Sequence, residues 1–459
     1  MRHPHLTLRA FAAAWLLLAG AAAFSATPCA TSDEAAVSEM QVVYARAVIP
    51  GEQADQHRAL LATVLLRIKR SHATDVDLGA LCAAAARVLD PLPLAAGEPA
   101  DVFRKALAEV LRTLDPHSRY LDPRAYDNQR ADASGGFGGL GLEVQSASEG
   151  AVRVVAPMPG GPAARAGLAA GDLIVRVDGE SLGGVALADA IAKMRGPPGT
   201  AVSITVQRQG TDEFTVSLTR DTIRRQLLRW SMEGDVLVLR LSSFSGAVEA
   251  AVTQAVADAT ASHQPKALVL DLRGNPGGLL REAIKVADAF LASGEIVSIR
   301  GSTPERQRSW VADSSELLAG LPMVVLVDAR SASASELVAD ALQSNGRATV
   351  MGQRSYGKGS VQTTFSLGEN KGGLKLTTSI YHGPSGQTVH RVGVGPDIEL
   401  VGTGKAEAAR AESAPARAAK ARVDAARCAA QKAPDPELSC ALAYLRAGST
   451  QAFVARLAD

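Results

Sequence analysis

Aromatic residues are scarce in this 459-residue chain: nine Phe, six Tyr and three Trp, 4% in all. A core must therefore be built from Ala, Val and Leu. The interleaved aromatic and basic residues of a nucleic-acid surface are missing, which argues against nucleic acid as a partner. No sign of charge dominates. Lys and Arg number 48 against 47 Asp and Glu, for a formal net charge of +1, so no global field recruits polyanions or an anionic membrane. Cysteine is limited to Cys29, Cys82, Cys428 and Cys440, and the lack of any C-x-x-C pair argues against a zinc site. The glycine-rich stretches Arg273–Gly278 and Gly196–Thr200 lack a following G-K-[ST], so phosphate-loop nucleotide binding is rejected. No metal or cofactor is expected. After the first 25 residues no segment has the roughly 18 uninterrupted apolar residues of a membrane span.

What is present begins with an export signal. Arg2 and Arg9 precede an apolar run from Phe11 to Phe24, and small residues allow cleavage after Ala23 or Ser25. The alternative is an uncleaved anchor. Ala26-Thr27-Pro28-Cys29 is a poor match to a lipoprotein cleavage site. Export to the periplasm or cell envelope permits disulfides. Cys428 and Cys440 flank the turn signal Ala433-Pro434-Asp435-Pro436 and are expected to close a helical hairpin.

The pattern along the chain predicts an α/β multidomain protein. Residues 26–130 read mainly as helix: Leu60, Leu61, Val64, Leu65 and Ile68 share one face, as do Phe103, Leu107, Val110, Leu111 and Leu114. Asp115-Pro116 ends the last of these. Residues 131–222 change to period two, with Val202, Ile204 and Val206 alternating and a D-G hairpin signal at Asp178-Gly179. Leu187, Ile191 and Met194 have helical spacing, and core packing and pocket lining compete as their role. Residues 223–404 alternate strand and helix, with continuous apolar runs at Ala267–Leu272 and Met323–Val327. That pattern predicts a mainly parallel sheet with chemistry at its strand ends. Residues 405–459 form an Ala- and Arg-rich tail, read as helical, whose Leu438, Leu442, Leu445 and Phe453 suggest a docking end.

Three stretches offer chemistry. Ala329–Glu336 reads A-R-S-A-S-A-S-E after a buried strand and opens a helix, whose free N–H groups can stabilise an oxyanion. Ser333 also fits a helix cap with Glu336, and Ser331 and Ser335 compete with it. Tyr356-Gly357-Lys358-Gly359 offers an amine that can act as a base if burial lowers its pKa, with Gln362 placed to orient it. Asp271–Gly278, D-L-R-G-N-P-G-G, can bring a backbone N–H to a reacting carbonyl. A glycine-rich loop, Gly138-Gly139-Leu140-Gly141-Leu142, can turn N–H groups toward a terminal carboxylate.

That last loop, with G-G-P-A-A-R-A-G-L from Gly160 and G-D-L-I from Gly171, resembles PDZ domains. The resemblance implies that Gly139, Leu140, Gly141 and Leu142 bind an extended C-terminal peptide. From Leu114 to Leu400 the chain resembles the carboxyl-terminal processing (tail-specific) serine peptidases. The motifs are L-D-P-H-S-R-Y-L, D-L-R-G-N-P-G-G, S-A-S-A-S-E-L-V-A-x-A-L, G-x-R-S-Y-G-K-G-S-V-Q and G-P-S-G-Q. This resemblance implies Ser333 as nucleophile, Lys358 as general base and Gln362 as its positioner. It also implies an oxyanion hole from Ala334 and a glycine of the turn, with Gly278 preferred to Gly277. Gly383 departs from the usual threonine, and Ala329-Arg330 from a glycine-containing pair that leaves more room for substrate.

The expected organisation is a signal peptide at 1–25, a helical region at 26–130 and an inserted PDZ domain at 131–222. The serine peptidase core follows at 223–404 and the tail at 405–459. The expected activity is an exported endopeptidase acting through an acyl-enzyme on proteins with accessible C-termini. The sequence is also compatible with an adaptor lipoprotein and a homo-oligomer. The competing readings are a non-catalytic PDZ scaffold and a Ser-His hydrolase using His382 or His390.

Overall fold

The computed structural model describes residues 29, 32–133, 136–147, 151–224, 226–313, 316–402, 419–428 and 435–458. The export signal at 1–25 lies outside the described residues. The chain divides into two compact units, Met1–Ala62 with Asp77–Val110 and Thr63–Val76 with Leu111–Asp459.

The first unit is helical. Ser32 caps the helix Asp33–Ala47 and Asp77 caps Leu78–Leu89, each side chain accepting a first-turn N–H. Met40, Tyr44, Leu61, Leu81 and Phe103 are fully buried or nearly so. The Tyr44 hydroxyl donates to the Pro99 carbonyl, and a disulfide joins Cys29 to Cys82. That pairing carried no sequence signal, because its two cysteines are 53 residues apart.

The second unit is built on a seven-stranded sheet whose strands lie side by side in chain order: Leu228–Glu233, Val236–Leu241, Ala267–Asp271, Met323–Val327, Thr349–Gly352, Ile398–Val401 and Ala421–Asp424. The first pair is antiparallel and every later pair is parallel. Right-handed crossovers that always step the same way leave their helices on one face. Helices Val248–His263, Leu280–Asp288 and Ala334–Ser344 accordingly pack on Leu237, Leu239, Leu241, Leu268, Leu270 and Val325. Alternate residues point to the other face. There Val236, Val238, Val269, Val324 and Leu326 meet Cys440, Ala441 and Phe453 of the final helices, Pro436–Ala447 and Thr450–Ala458.

The tail is thus the second cover of the sheet. Its disulfide is Cys428–Cys440, as expected. Cys428, however, ends a short 3-10 turn that follows the strand Ala421–Asp424, so the bridge does not close a pair of α-helices. The Ala- and Arg-rich composition gave no sign of that strand, whose register with Ile398–Val401 comes from pairing across the sheet. Ala433 and Pro434 of the turn signal lie outside the described residues.

A second, wholly antiparallel sheet surrounds the long strand Gly373–His382. Ser360–Ser366 runs along one edge, and Arg119–Leu121 and Glu295–Arg300 share the other. The inserted domain begins with Gly136–Gly139 and leaves by Asp221–Arg224, which pair antiparallel, so its entry and exit lie together. Between them is a six-stranded antiparallel sheet. Asp178 and Gly179 both have positive φ and join Leu173–Val177 to Glu180–Ser181, as a two-residue primed hairpin requires. The helix Leu187–Met194 divides its apolar residues. Ala190 and Met194 are core, whereas Leu187 and Ile191 stay half-buried, as do Leu142 and Val144 on the edge strand Leu142–Ser146.

Candidate active site

Ala267–Asp271 and Met323–Val327 are parallel neighbours, so the turns that leave their C-terminal ends emerge at one edge of the sheet. Asn275 locks these turns together and is fully buried. Its Nδ2 donates to the Leu241 carbonyl (3.1 Å), and its Oδ1 accepts the Gly277 N–H (2.9 Å). Its carbonyl accepts the Ala332 N–H (3.0 Å) and the Ser335 hydroxyl (2.9 Å). The Ser331 hydroxyl donates to the Leu272 carbonyl (2.8 Å). Ser331 and Ser335 are therefore buried and committed to backbone carbonyls. Ser333 is half-buried and opens on a cavity of about 520 Å3.

Ser333 has φ 56° and ψ −113°, a conformation that costs a non-glycine residue about 1–3 kcal/mol. Its N–H donates to Glu336 Oε2 (2.7 Å), and its carbonyl accepts the Tyr381 hydroxyl (3.1 Å). Gly277, at φ 96°, packs against it so closely that a Cβ there would lie 2.9 Å from Ser333 Cβ and 2.8 Å from the Ala334 nitrogen. Two N–H groups beside Ser333 have no partner among the described residues: Ala334, the first residue of its helix, and Gly278. The Gly277 N–H differs, being taken by Asn275.

Lys358 lines the same cavity, with Gln362 and Lys375. Its loop is tied to the serine helix by Glu336, which is completely buried and accepts four hydrogen bonds. Besides the Ser333 N–H, the donors are the Ser355 hydroxyl (2.5 Å), the Gly357 N–H (2.6 Å) and the Lys358 N–H (2.8 Å). Burial raises the Glu336 pKa, and these donors oppose that rise. Gly357 sits at φ 93°, and a Cβ on Gly359 would lie 2.6 Å from the His390 nitrogen, so both glycines are needed for close packing. Burial, then the charge of Arg119, lowers the Lys358 pKa from its usual value, while Glu336 and Asp115 work the other way. Gln362 Nε2 donates to Ser360 Oγ (2.9 Å) and Thr377 Oγ1 (3.4 Å). Among the described residues no hydrogen bond joins Lys358 to Ser333 or to Gln362. No histidine lines the cavity, and His390 faces a different one.

Several residues matter here that sequence reasoning did not single out. Glu336 was visible only as half of a capping box. Asp115 of L-D-P-H-S-R-Y-L accepts from Ser118 Oγ (2.5 Å), Thr377 Oγ1 (3.0 Å) and two backbone N–H groups, and so pins that motif to the strand Gly373–His382. Burial pushes its carboxyl up, but hydrogen bonds led by His72 and Ser118 hold it well below the usual carboxylate range. Arg273 of the glycine-rich turn is forked onto Asp271 and Asp435, and it also bonds Glu437 (2.8 Å). The tail is thereby clamped to the turn that carries Gly278. The two departures from the family pattern also have local reasons. The space a Cβ would need at Gly383 is filled by the Asp340 carboxylate. Arg330 is exposed, pairs with Asp328 and does not line the cavity, so it leaves that entrance unobstructed.

In the inserted domain the carbonyls of Leu140 and Gly141 are bound by the N–H groups of Ala163 and Met158 (2.9 and 2.8 Å). The N–H groups of Leu140 and Gly141 have no partner among the described residues, and Gly141 has φ 68°. Gly139 ends the strand Gly136–Gly139, and Leu142 begins the open edge strand. All four candidate peptide-binding residues therefore border one loop. Gly136 and Phe137, at the other end of that short strand, line the cavity of Ser333. Among the described residues, the one grouping close enough to hold a metal is Cys29, Glu39 and Cys82, and the disulfide occupies both thiols.

Comparison with known proteins agrees with this architecture. Residues 235–400 match the model of peptidase family S41, and residues 153–208 match a PDZ domain. The carboxy-terminal-processing protease of Bartonella bacilliformis is 42% identical over 301 residues, 65% of this chain and 69% of that protein. The carboxyl-terminal-processing protease of a Picosynechococcus species is 36% identical over 306 residues, 65% and 72% of the two chains. Among solved structures, the photosystem II D1 C-terminal processing protease is 28% identical with a TM-score of 0.48, covering 77% of this chain and 94% of its own. The chain belongs to the carboxyl-terminal-processing proteases of peptidase family S41, serine-type peptidases, and it carries their PDZ domain.

Proposed function

We propose that the protein is an exported endopeptidase that holds a substrate's C-terminal residues in its PDZ groove and cuts the chain with Ser333 and Lys358. The observation that carries this reading is the composition of one cavity: an accessible serine, a lysine of lowered pKa, two unpartnered N–H groups beside the serine and no histidine. The neutral amine of Lys358 takes the Ser333 hydroxyl proton as Oγ attacks the scissile carbonyl carbon. The Ala334 and Gly278 N–H groups stabilise the oxyanion. The ammonium then gives its proton to the leaving amine, and an acyl-enzyme remains. Water, deprotonated by Lys358, attacks the ester, and collapse releases the acid and returns the proton to Ser333. Gln362, its amide nitrogen held by Ser360 and Thr377, presents its carbonyl oxygen to the ammonium.

The Leu140 and Gly141 N–H groups receive the terminal carboxylate, and the peptide adds a strand along Leu142–Ser146 between Leu187 and Ile191. The strand Gly136–Gly139 links that loop to the cavity within about 10 Å. Substrate engagement on this route brings Lys358 into hydrogen-bond contact with Ser333, a contact that tightens only in the bound complex. The N-terminal Arg2–Phe24 segment and the two disulfides support export into an oxidising periplasm.

The test is turnover of an unfolded substrate. Ser333→Ala and Lys358→Ala each lose about 10⁴-fold or more in kcat, while His382→Ala and His390→Ala retain activity. A serine-directed fluorophosphonate labels the wild type at Ser333. Retained turnover in Lys358→Ala together with loss in His390→Ala would overturn the lysine-base reading.

A further inference from the structure

Among the described residues, the cavity around Ser333 is lined by two lysines, Lys358 and Lys375, and by no carboxylate. Lys358 has a task in the proposed reaction, and Lys375 does not. Lys375 lies in the strand Gly373–His382, half-buried, directly opposite Arg119 on one neighbouring strand and Thr364 on the other. Like charges directly opposite each other in an antiparallel pair repel. Neither Lys375 nor Arg119 has an ion-pair partner among the described residues. The two acids whose charges act on the neighbouring Lys358 are already engaged: Asp115 with Ser118 and Thr377, and Glu336 with four donors. Burial, with Arg119 and Lys358, lowers the Lys375 pKa to about 8. A half-buried cation repelled by both charged neighbours and compensated by no described residue is stabilised by an arriving anion. The other polar side chains among the described lining residues, Gln129, Gln362 and Thr364 with the serines and Tyr381, carry no carboxylate or cation.

We propose that Lys375 is a specificity residue that forms a carboxylate-binding subsite in the catalytic cavity, so that cleavage favours substrates carrying an Asp or Glu side chain near the scissile bond. The subsite deepens the peptidase reading and rests on it. An extended peptide advances about 3.3 Å per residue, so the acidic side chain that reaches a cavity shared with Ser333 belongs to a residue near the cut. A substrate's free terminal carboxylate has the same chemistry and is the other source of the anion.

The experiment uses the full-length protein and peptides of one sequence, each with Glu or Gln at a single position along the eight residues around the cut. A second pair ends in a free acid or an amide. The readout is the ratio of kcat/KM within each pair, which a general loss of activity does not change. The wild type prefers Glu at one position by about tenfold, as a charge-assisted contact in a partly buried site gives. Lys375→Gln brings that ratio close to one, and Lys375→Arg preserves it. A Lys375-dependent preference for the free acid alone assigns the subsite to the terminus. Ratios near one at every position and at the terminus, or a preference that survives in Lys375→Gln, overturn the subsite. Binding of the same peptides to Ser333→Ala, read by fluorescence anisotropy, separates the two levels. Lys375-dependent preference in binding without any turnover by the wild type overturns the peptidase reading and keeps the subsite.

Discussion

The serine side and the lysine side of the site are held by different means. Around Ser333 the backbone is over-determined: its N–H is bound by Glu336, its carbonyl by Tyr381, and the neighbouring turn is locked by Asn275. Strain at a positive φ is sustained there because so many bonds fix it. On the other side, the Lys358 backbone is anchored by Glu336, but among the described hydrogen bonds none joins its amine to Ser333 or Gln362. One half is preorganised to the level of individual N–H groups. The other is a positioned loop with an adjustable side chain. In the proposed reaction a rigid nucleophile and oxyanion donor lower the reorganisation that accompanies charge development, whereas the proposed base must release and recapture its proton during the cycle.

Glu336 is the joint between these halves, so Glu336→Gln is the sharpest way to break the contrast. The amide introduces a donor where four donors converge, and displacement of both halves lowers kcat by about 100-fold, with KM less affected. Steady-state kinetics check this, and a large change in KM with kcat preserved would show that the two halves do not depend on a shared anchor. Arg273→Met probes the rigid half through the tail. It leaves Asp271, Asp435 and Glu437 without their common cation, and loss of one partner in such a buried group destabilises by about 3–5 kcal/mol. Denaturant unfolding measures the loss, and a variant as stable as wild type would mean that the clamp does not hold the tail in place. The smallest effect is expected for Arg119→Gln on the adjustable half. Arg119 disfavours the ammonium form of Lys358. Without its charge the Lys358 pKa rises toward its usual value, and a higher pH is needed to obtain the neutral amine that the proposed reaction uses as its base. The acidic limb of the kcat/KM profile then moves to higher pH. An unmoved or oppositely shifted limb would separate Arg119 from the titration of the base.

Much of the fold was legible because it is written in local periodicity. The run Met323–Val327 coincides with its strand, Ala267–Leu272 overruns its strand by one residue, and Asp178-Gly179 makes the expected turn. The serine cluster and the G-K-G loop were recognisable as short motifs. Their choice among alternatives was not local. Ser331 and Ser335 differ from Ser333 only in what they touch, and those partners lie about 60 residues away in the chain. Gly277 and Gly278 are likewise distinguished only by the side chain of Asn275, which occupies one N–H and not the other. Lys375 was unremarkable in its alternating strand until the pairing with Arg119 and the shared cavity were known.

The sequence by itself determined many of the helices and strands, the order of the PDZ and parallel-sheet segments, and the residue types available for acyl transfer, because hydrophobic period, turn chemistry and short motifs act over a few residues. Only the tertiary structure decided that the tail covers the second face of the sheet and grips Arg273. It also decided that Glu336 joins two loops, and that one cavity collects two lysines and, among the described residues, no carboxylate. Burial, hydrogen-bond competition and uncompensated charge are properties of residues distant in the chain, and they exist only once the fold has brought those residues together.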